Sequence, residues 1–328
     1  MSRNGAEAHL FQPCVRAPVG FVIVTHRDPE QVLRLVVRLR DLFGPVVPIA
    51  IHHDFGQCPL DTKLFPRGVS FVRPHFATRW GAWGVVEGEL AALRLLYGGG
   101  VETHPEHVVL LSGADYPVAP AQRVLADLRS CGADAYLDAR PVHPWRRTRQ
   151  VPGPLGLGPN AGPSNEQVCF RRYYSSTFHP LGMRVRVKSP ALAPLLAPFS
   201  RRFRCWAGET WWTLGHRGVA YLLSFHEERP EIVRWFAGKE LPEEAYVHTV
   251  VCNAPGLRVE LRPYRYVDWS SRAPHPRTLD EGDVRELFQS GAHFARKFAP
   301  HAPVLDVIDR ALGLPAWQGN PPALATAE

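Results

Sequence analysis

Two adjacent carboxylates, Glu243 and Glu244, follow Pro242 at the start of an apolar stretch that ends at Asn253. Proline suits the first position of a helix because its missing N–H has no partner there, and the helix dipole favours acids in the first turn. The valines that give this stretch one buried face are Val247, Val250 and Val251. A helix beginning at Pro242 can therefore use both acids to complement its dipole, or aim one into a cleft where a carboxylate takes up a proton.

Polar clusters also follow three apolar, β-branched runs that predict buried strands. The clusters are Thr25-His26, His52-His53-Asp54 and Ser112 to Asp115. Helical patterns separate the strands, and this alternation over the first ~140 residues predicts an α/β fold with a mostly parallel, doubly wound sheet flanked by helices. Because ligands bind beyond the carboxyl ends of strands in such sheets, the clusters predict one crevice.

Several familiar ligand motifs do not occur in the sequence. No Gly-x-Gly-x-x-Gly follows the first strand, and neither a P-loop nor a His-Glu-x-x-His is found. His52, His53 and Asp54 have metal-binding side chains, but neighbours on a strand point to opposite faces and do not easily converge. We therefore expect neither a metal site nor a bound cofactor.

Composition limits the partners. The chain has 328 residues, of which 45% are hydrophobic and 21% charged, so it can form a sizeable core. Its net charge of +7 suits nucleic acid, an acidic membrane surface or phosphorylated substrates. No nucleic-acid-binding motif accompanies the charge, so we expect no nucleic-acid partner. Short clusters such as Arg171-Arg172 leave an anionic acceptor or a membrane face open.

The compartment is predicted from what the sequence lacks. Met1 to Ala17 has no signal-peptide pattern, and no apolar window reaches the roughly 18 residues of a membrane span. These features predict a cytoplasmic protein, with peripheral membrane association kept open. The scattered cysteines predict reduced thiols, with pairing left undecided. They are Cys14, Cys58, Cys131, Cys169, Cys205 and Cys252.

The order of short motifs along the chain resembles the core-2/I-branching glycosyltransferase family, which includes protein xylosyltransferases. Each motif is weak by itself, but the ordered set extends from Gly20 to about Leu312. The motifs are Val22 to His26, Ile49 to Asp54, Trp80 to Trp83, Leu110 to Pro117, Gly208 to Trp212, Pro242 to Glu244, Tyr266 to Trp269, His275 to Arg277 and Phe294 to Phe298. The resemblance implies a GT-A-like fold and inverting transfer from a UDP-sugar, in a soluble, bacterial-type member.

The resemblance also implies how the chemistry is divided. Glu244 matches the family's general base, which takes the proton from the acceptor hydroxyl, while Glu243 replaces an Asp. Arg277 and Lys297 match basic side chains that stabilise the departing diphosphate in place of a metal. Each of these two could instead be an ordinary surface charge.

Donor and acceptor contacts are implied in the same way. Asp54 matches an acid that binds uracil or ribose, although it could instead be only a turn residue. The end of the first strand lines the same pocket with Val24, Thr25 and His26. Asp115 is either a turn former or a donor contact. Expected acceptor contacts are Glu209, Trp211 and Trp212, although buried tryptophans more often belong to a core.

One domain is expected over residues 18–314, with a nucleotide-binding half at 18–140 and an acceptor and catalytic half at 141–314. Flexible ends are expected at 1–17 and 315–328, and a surface loop at Val142 to Gly162. The expected donor sugar is N-acetylglucosamine, with xylose as the alternative, and the acceptor is a carbohydrate or glycoconjugate hydroxyl. From another class, a non-catalytic carbohydrate- or nucleotide-binding protein on the same fold remains open.

Overall fold

A computed structural model describes residues 16–99, 104–143, 166–178, 185–187, 192–271, 273 and 275–319. The loop expected at Val142 to Gly162 and the two ends expected to be flexible lie mostly outside these ranges. None of the helices in the described ranges is long and apolar enough to cross a membrane.

The main sheet has seven strands and follows the predicted α/β pattern. In chain order the strands are β1 (Gly20–Thr25), β2 (Ile49–His53), β3 (Val69–Phe71), β4 (His107–Ser112), β6 (Ala135–Leu137), β11 (Trp212–Gly215) and β12 (Val259–Glu260). Their spatial order is β12-β6-β11-β4-β1-β2-β3, and all neighbouring pairs are parallel except those made by β11.

Helices cover both faces of this sheet, as a doubly wound fold requires. The helices are α1 (Pro29–Phe43), α2 (Gly84–Leu96), α3 (Ala121–Cys131), α4 (Glu166–Tyr173), α5 (Ala193–Leu196), α6 (His216–Glu228), α7 (Pro230–Ala237), α8 (Tyr246–Cys252), α9 (Val284–Gln289) and α10 (Pro303–Ala311). Alternate residues of β1 enter different cores, since Val22 packs with α2, α6 and α8 while Phe21 and Ile23 pack with α1 and α10.

A second sheet has three short strands and continues from the carboxyl end of β4. It consists of β5 (Asp115–Pro117), β14 (Phe294–Arg296) and β13 (Arg265–Val267), with β14 in the middle. Two further pairs are β7 (Arg140–Pro141) with β10 (Trp206–Ala207), and β8 (Ser176–Phe178) with β9 (Val185–Val187). The three-stranded sheet brings residues 294–298 beside the strand end at Ser112 to Asp115, because Phe298 N–H donates to the Ala114 carbonyl at 2.9 Å.

The sequence predicted the type of most elements better than their ends. The cluster His52-His53-Asp54 was expected to follow its strand, but β2 runs from Ile49 to His53, so His52 and His53 belong to the strand. The largest difference concerns the predicted helix at Pro242. Pro242–Glu244 form a 3-10 turn, and α8 begins only at Tyr246, after a break at Ala245 with φ −143°. Glu243 and Glu244 therefore do not lie in the first turn of α8.

Candidate active site

The turn that carries Glu244 is fixed from three sides. The Leu241 N–H donates to the Gly81 carbonyl at 2.9 Å, and the Tyr173 hydroxyl donates to the Leu241 carbonyl at 2.8 Å. The Glu244 carbonyl accepts from the Gly208 N–H at 2.9 Å. Leu241 itself has φ 51°, a left-handed conformation that side chains other than glycine rarely adopt. Such strain persists only where surrounding contacts impose it, and here it precedes the candidate base.

Glu244 presents a partly open carboxylate held by one cation. Its side chain is 35% exposed, and Arg172 of α4 donates from Nη1 to Oε2 at 2.7 Å. Burial raises the pKa of Glu244, and the charge and hydrogen bond of Arg172 oppose that rise. The ion pair occupies one carboxylate oxygen and leaves Oε1 as the second proton acceptor.

Glu243 has a different environment from its neighbour. It is buried, and burial raises its pKa to about 7, with Glu244 adding to the rise. Glu89 of α2 is also buried, and burial followed by the charge of Glu243 raises its pKa. Glu243 is therefore a buried acid in a 3-10 turn and not a solvated charge at a helix start, which was one of the two alternatives that the sequence left open.

The predicted acceptor contacts divide into a site group and a core group. Glu209 accepts from the Trp269 indole at 2.9 Å, and burial raises its pKa to about 7, with Arg296 opposing the rise and Glu244 adding to it. Trp211 lies against the Arg296 guanidinium, 3.9 Å from the ring centre. Trp212 is only 1% exposed and packs within the main core, so it offers no face to an acceptor.

The carboxyl ends of β1 and β2 meet as the fold predicts. The Asp54 N–H donates to the Thr25 carbonyl at 2.9 Å, while Val24 is partly buried and His26 is exposed. The Asp54 carboxylate accepts from the Thr78 N–H at 2.6 Å and from Gln57 Nε2 at 2.7 Å. These hydrogen bonds outweigh burial and lower its pKa to about 2. Asp54 therefore holds the loop beyond β2 in place as well as lying beside the predicted nucleoside pocket.

Asp115 is completely buried and pairs with cations of the three-stranded sheet. Arg265 of β13 donates to it at 3.0 Å, and Arg296 of β14 lies 3.8 Å away. Ser112 donates to the same carboxylate through its N–H at 2.6 Å and through its hydroxyl. In this arrangement Asp115 joins the two sheets and has no oxygen turned toward solvent.

The two predicted phosphate cations differ in how far they are already paired. Arg277 donates to Asp268 at 2.6 Å and to Asp283, and these acids raise its pKa. Lys297 is partly exposed, and its Nζ lies 3.4 Å from His275 Nδ1. Burial, followed by the charges of Arg27 and Arg296, lowers its pKa. Lys297 therefore has fewer protein partners than Arg277 and is the more available of the two for binding an anion.

Metal-binding groups and thiols add little to this site. Within the described ranges, no cluster of three or more His, Cys, Asp or Glu side chains is arranged to hold a metal ion. Free thiols are found at Cys58, Cys131, Cys205 and Cys252, and Cys14 lies outside the described ranges.

Comparison with known proteins bears on the half predicted to be catalytic. Residues 160–290 match the family model of the Core-2/I-Branching enzymes. The resemblance inferred from the sequence is confirmed over this segment, which is less than half of the chain. Among the predicted site residues, the matched segment contains Glu209, Trp211, Trp212, Glu244 and Arg277.

Two plant proteins are similar over a shorter region. Beta-glucuronosyltransferase GlcAT14B of Arabidopsis thaliana is 34% identical over 116 residues, which cover 34% of this chain and 26% of that protein. Beta-glucuronosyltransferase GlcAT14A of the same plant is 32% identical over 111 residues, covering 33% and 25%. The matched region thus represents about a quarter of each relative.

Sequence reasoning missed three charged residues of this site. Arg172, Arg296 and Glu89 contact or influence the candidate base and its neighbours, but no role in the site is predicted for them from the sequence. Arg296 had the clearest available signal, because it directly precedes Lys297 in the last motif. Arg172 was noted only as part of a basic pair, since its partner Glu244 is 72 positions away.

We expect replacement of Gly208 with Ala to destabilise the turn under Glu244. A Cβ at this position would lie 1.8 Å from the Asp138 carbonyl oxygen, so the backbone must move and strain the N–H link to Glu244. The free energy of unfolding should fall by about 1–3 kcal/mol, as for other overpacked sites. Thermal and urea unfolding measure the change. Gly238→Ala is the control, because its Cβ would meet nothing closer than 3.7 Å; equal stability of the two variants would contradict the expected clash.

Proposed function

We propose that this protein is an inverting glycosyltransferase that moves a sugar from a UDP-sugar to a hydroxyl of a carbohydrate or glycoconjugate. Glu244 is the general base: it takes the acceptor proton while the acceptor oxygen bonds to the anomeric carbon and the bond to UDP breaks. One observation carries the assignment: Glu244 is partly open, held by Arg172 at 2.7 Å, on a turn anchored from several sides. The family match over the same segment supports it.

Two basic side chains near the end of β4 suit the leaving group. Lys297 directly precedes Phe298, whose N–H donates to the Ala114 carbonyl, and Arg277 lies two positions before Leu279, whose N–H donates to the Lys297 carbonyl. Fixed cations stabilise a developing diphosphate charge. In this proposal no metal is required, because these side chains supply the electrostatic stabilisation. Activity that is lost in EDTA and restored by Mn²⁺ would contradict the metal-free mechanism.

Three donor sugars are candidates. The motif resemblance favours N-acetylglucosamine, with xylose as the alternative. The two plant relatives are named as beta-glucuronosyltransferases, and this makes glucuronic acid a third candidate. The acceptor is proposed only as a hydroxyl of a carbohydrate or glycoconjugate, in the cytoplasm or at a membrane surface.

Hydrolysis of UDP-sugars without an acceptor tests the proposal directly. We expect slow release of UDP from one of UDP-N-acetylglucosamine, UDP-xylose and UDP-glucuronic acid, because a bound donor reacts with water when no acceptor is present. Calorimetry with UDP gives the accompanying affinity. UDP binding without turnover of any donor, with or without added saccharides, would instead favour a non-catalytic nucleotide-binding protein. Steep salt-dependent binding to random DNA without UDP affinity would favour a nucleic-acid binder.

A further inference from the structure

Arg296 is a partly buried cation with an aromatic partner beside the candidate active site. It ends β14, its side chain is only 18% exposed, and its guanidinium carbon lies 3.9 Å from the centre of the Trp211 ring. Trp211 therefore provides a flat support that holds the guanidinium in place. Its nearest acidic neighbour is Asp115, at 3.8 Å from Nε.

Arg296 has not used its hydrogen-bond donors. Among the described residues its guanidinium has no hydrogen-bond acceptor, and its Nε is buried. Asp115 is already taken, because Arg265 donates to it at 3.0 Å and Ser112 donates to it twice. Arg277 provides the contrast, since it donates to both Asp268 and Asp283. A buried Nε–H without an acceptor is costly unless a ligand supplies one.

The local charges also leave an excess of positive charge. Arg265 and Arg296 face two acids, Asp115 and Glu209. Asp115 is matched by Arg265, while burial raises the pKa of Glu209 to about 7, so this second acid is only partly ionised near neutral pH. Arg296 is thus incompletely neutralised by protein groups.

We propose that Arg296, supported by Trp211, binds an anionic group of the substrate. A guanidinium forms a planar fork that matches two oxygens of a carboxylate or a phosphate. Two sources supply this chemistry: the diphosphate of the donor, beside Lys297, and the carboxylate of a uronic acid, beside Glu209. This inference rests on the proposed function for the identity of the ligand, but the anion site itself can be tested without nucleotide.

The experiment compares the full chain with Arg296→Gln by calorimetry. The probes are UDP, uridine, UDP-N-acetylglucosamine, UDP-glucuronic acid, inorganic pyrophosphate and D-glucuronate. If the source is the diphosphate, UDP and pyrophosphate bind about tenfold or more weakly to the variant while uridine is unchanged, the loss expected for a charge-assisted hydrogen bond. If it is the carboxylate, UDP is unchanged, and only UDP-glucuronic acid and glucuronate lose affinity.

Two further variants separate binding from folding. Arg296→Lys keeps the charge and loses the planar guanidinium, so its affinity should lie between those of wild type and Arg296→Gln. If the glutamine variant does not fold, the lysine variant alone should bind more weakly than wild type. Arg285→Gln on the exposed side of α9 makes the same change of charge and should bind every probe as the wild type does. Thermal unfolding of each variant accompanies the titrations.

Failure of the anion site and failure of the proposed function give different results. Arg296-dependent binding of pyrophosphate or glucuronate by a chain that binds no UDP compound would support the anion site and overturn the proposed function. Affinities within about twofold of wild type for every probe in both Arg296 variants would overturn the anion site, as would a wild-type chain that binds none of them.

Discussion

Glu244→Gln should reduce sugar transfer by about 10²–10⁴-fold, the usual contribution of a general base, while UDP binding is retained. The amide has nearly the shape of the carboxylate, and its oxygen can still accept from Arg172, but it cannot take the acceptor proton. Initial rates with the donor found by screening, together with calorimetric UDP affinity, measure the two effects separately.

The neighbouring acids provide the controls for this result. Glu240→Gln, four positions earlier on an exposed site, should leave transfer unchanged. Glu209→Gln is the informative alternative, because Glu209 is partly buried near Arg296 with a pKa of about 7. Full activity of Glu244→Gln together with an inactive Glu209→Gln would transfer the base assignment to Glu209.

Arg172→Gln should move the acid limb of the pH profile of kcat/KM upward by about one pH unit or more, as expected for loss of an opposite charge. Burial raises the pKa of Glu244 and Arg172 opposes that rise, so removing the cation lets the pKa rise further. A base is active only when deprotonated. The variant should therefore be weakest at the acid end of the profile and recover toward wild type at higher pH. Values of kcat/KM measured over a series of pH at saturating donor test this.

The adjacent arginine offers a matched control. Arg171 is exposed on the same helix, so Arg171→Gln removes the same charge without touching the 2.7 Å ion pair and should keep the wild-type profile. Other ionisable groups around Glu244 are Tyr173, Glu209 and Glu243. A uniform loss of activity at every pH would show that Arg172 supports the turn without tuning the base.

The sequence predicted the fold because local patterns are strong where the sheet is buried. Strands such as Gly20–Thr25 are continuous apolar runs, and their ends place Thr25 and Asp54 together at one edge. The break at Ala245 was not predictable, because Glu243 and Glu244 suit a helix start equally well when their burial is unknown.

Pairings between distant residues account for most of what the sequence could not predict at the site. Arg172 contacts Glu244, and Arg296 contacts Trp211, across separations that no periodicity encodes. Arg277 shows the converse, since its motif position is recognisable in the sequence but its hydrogen bonds to Asp268 and Asp283 are not. Motif order indicates which residues to test, and the side-chain partners in the structure indicate which of them remain available to bind a ligand.

The antiparallel insertion of β11 has a consequence for how the chain folds. Val109 of β4 pairs with Thr213 of β11, so this contact closes a loop on the order of 100 residues. Contacts of such long range slow folding, and during synthesis β4 and β6 emerge long before the strand that joins them. Their open edges are then free to pair with other chains. We expect low yield of the first 140 residues expressed alone, and refolding of the whole chain that is slow and sensitive to protein concentration.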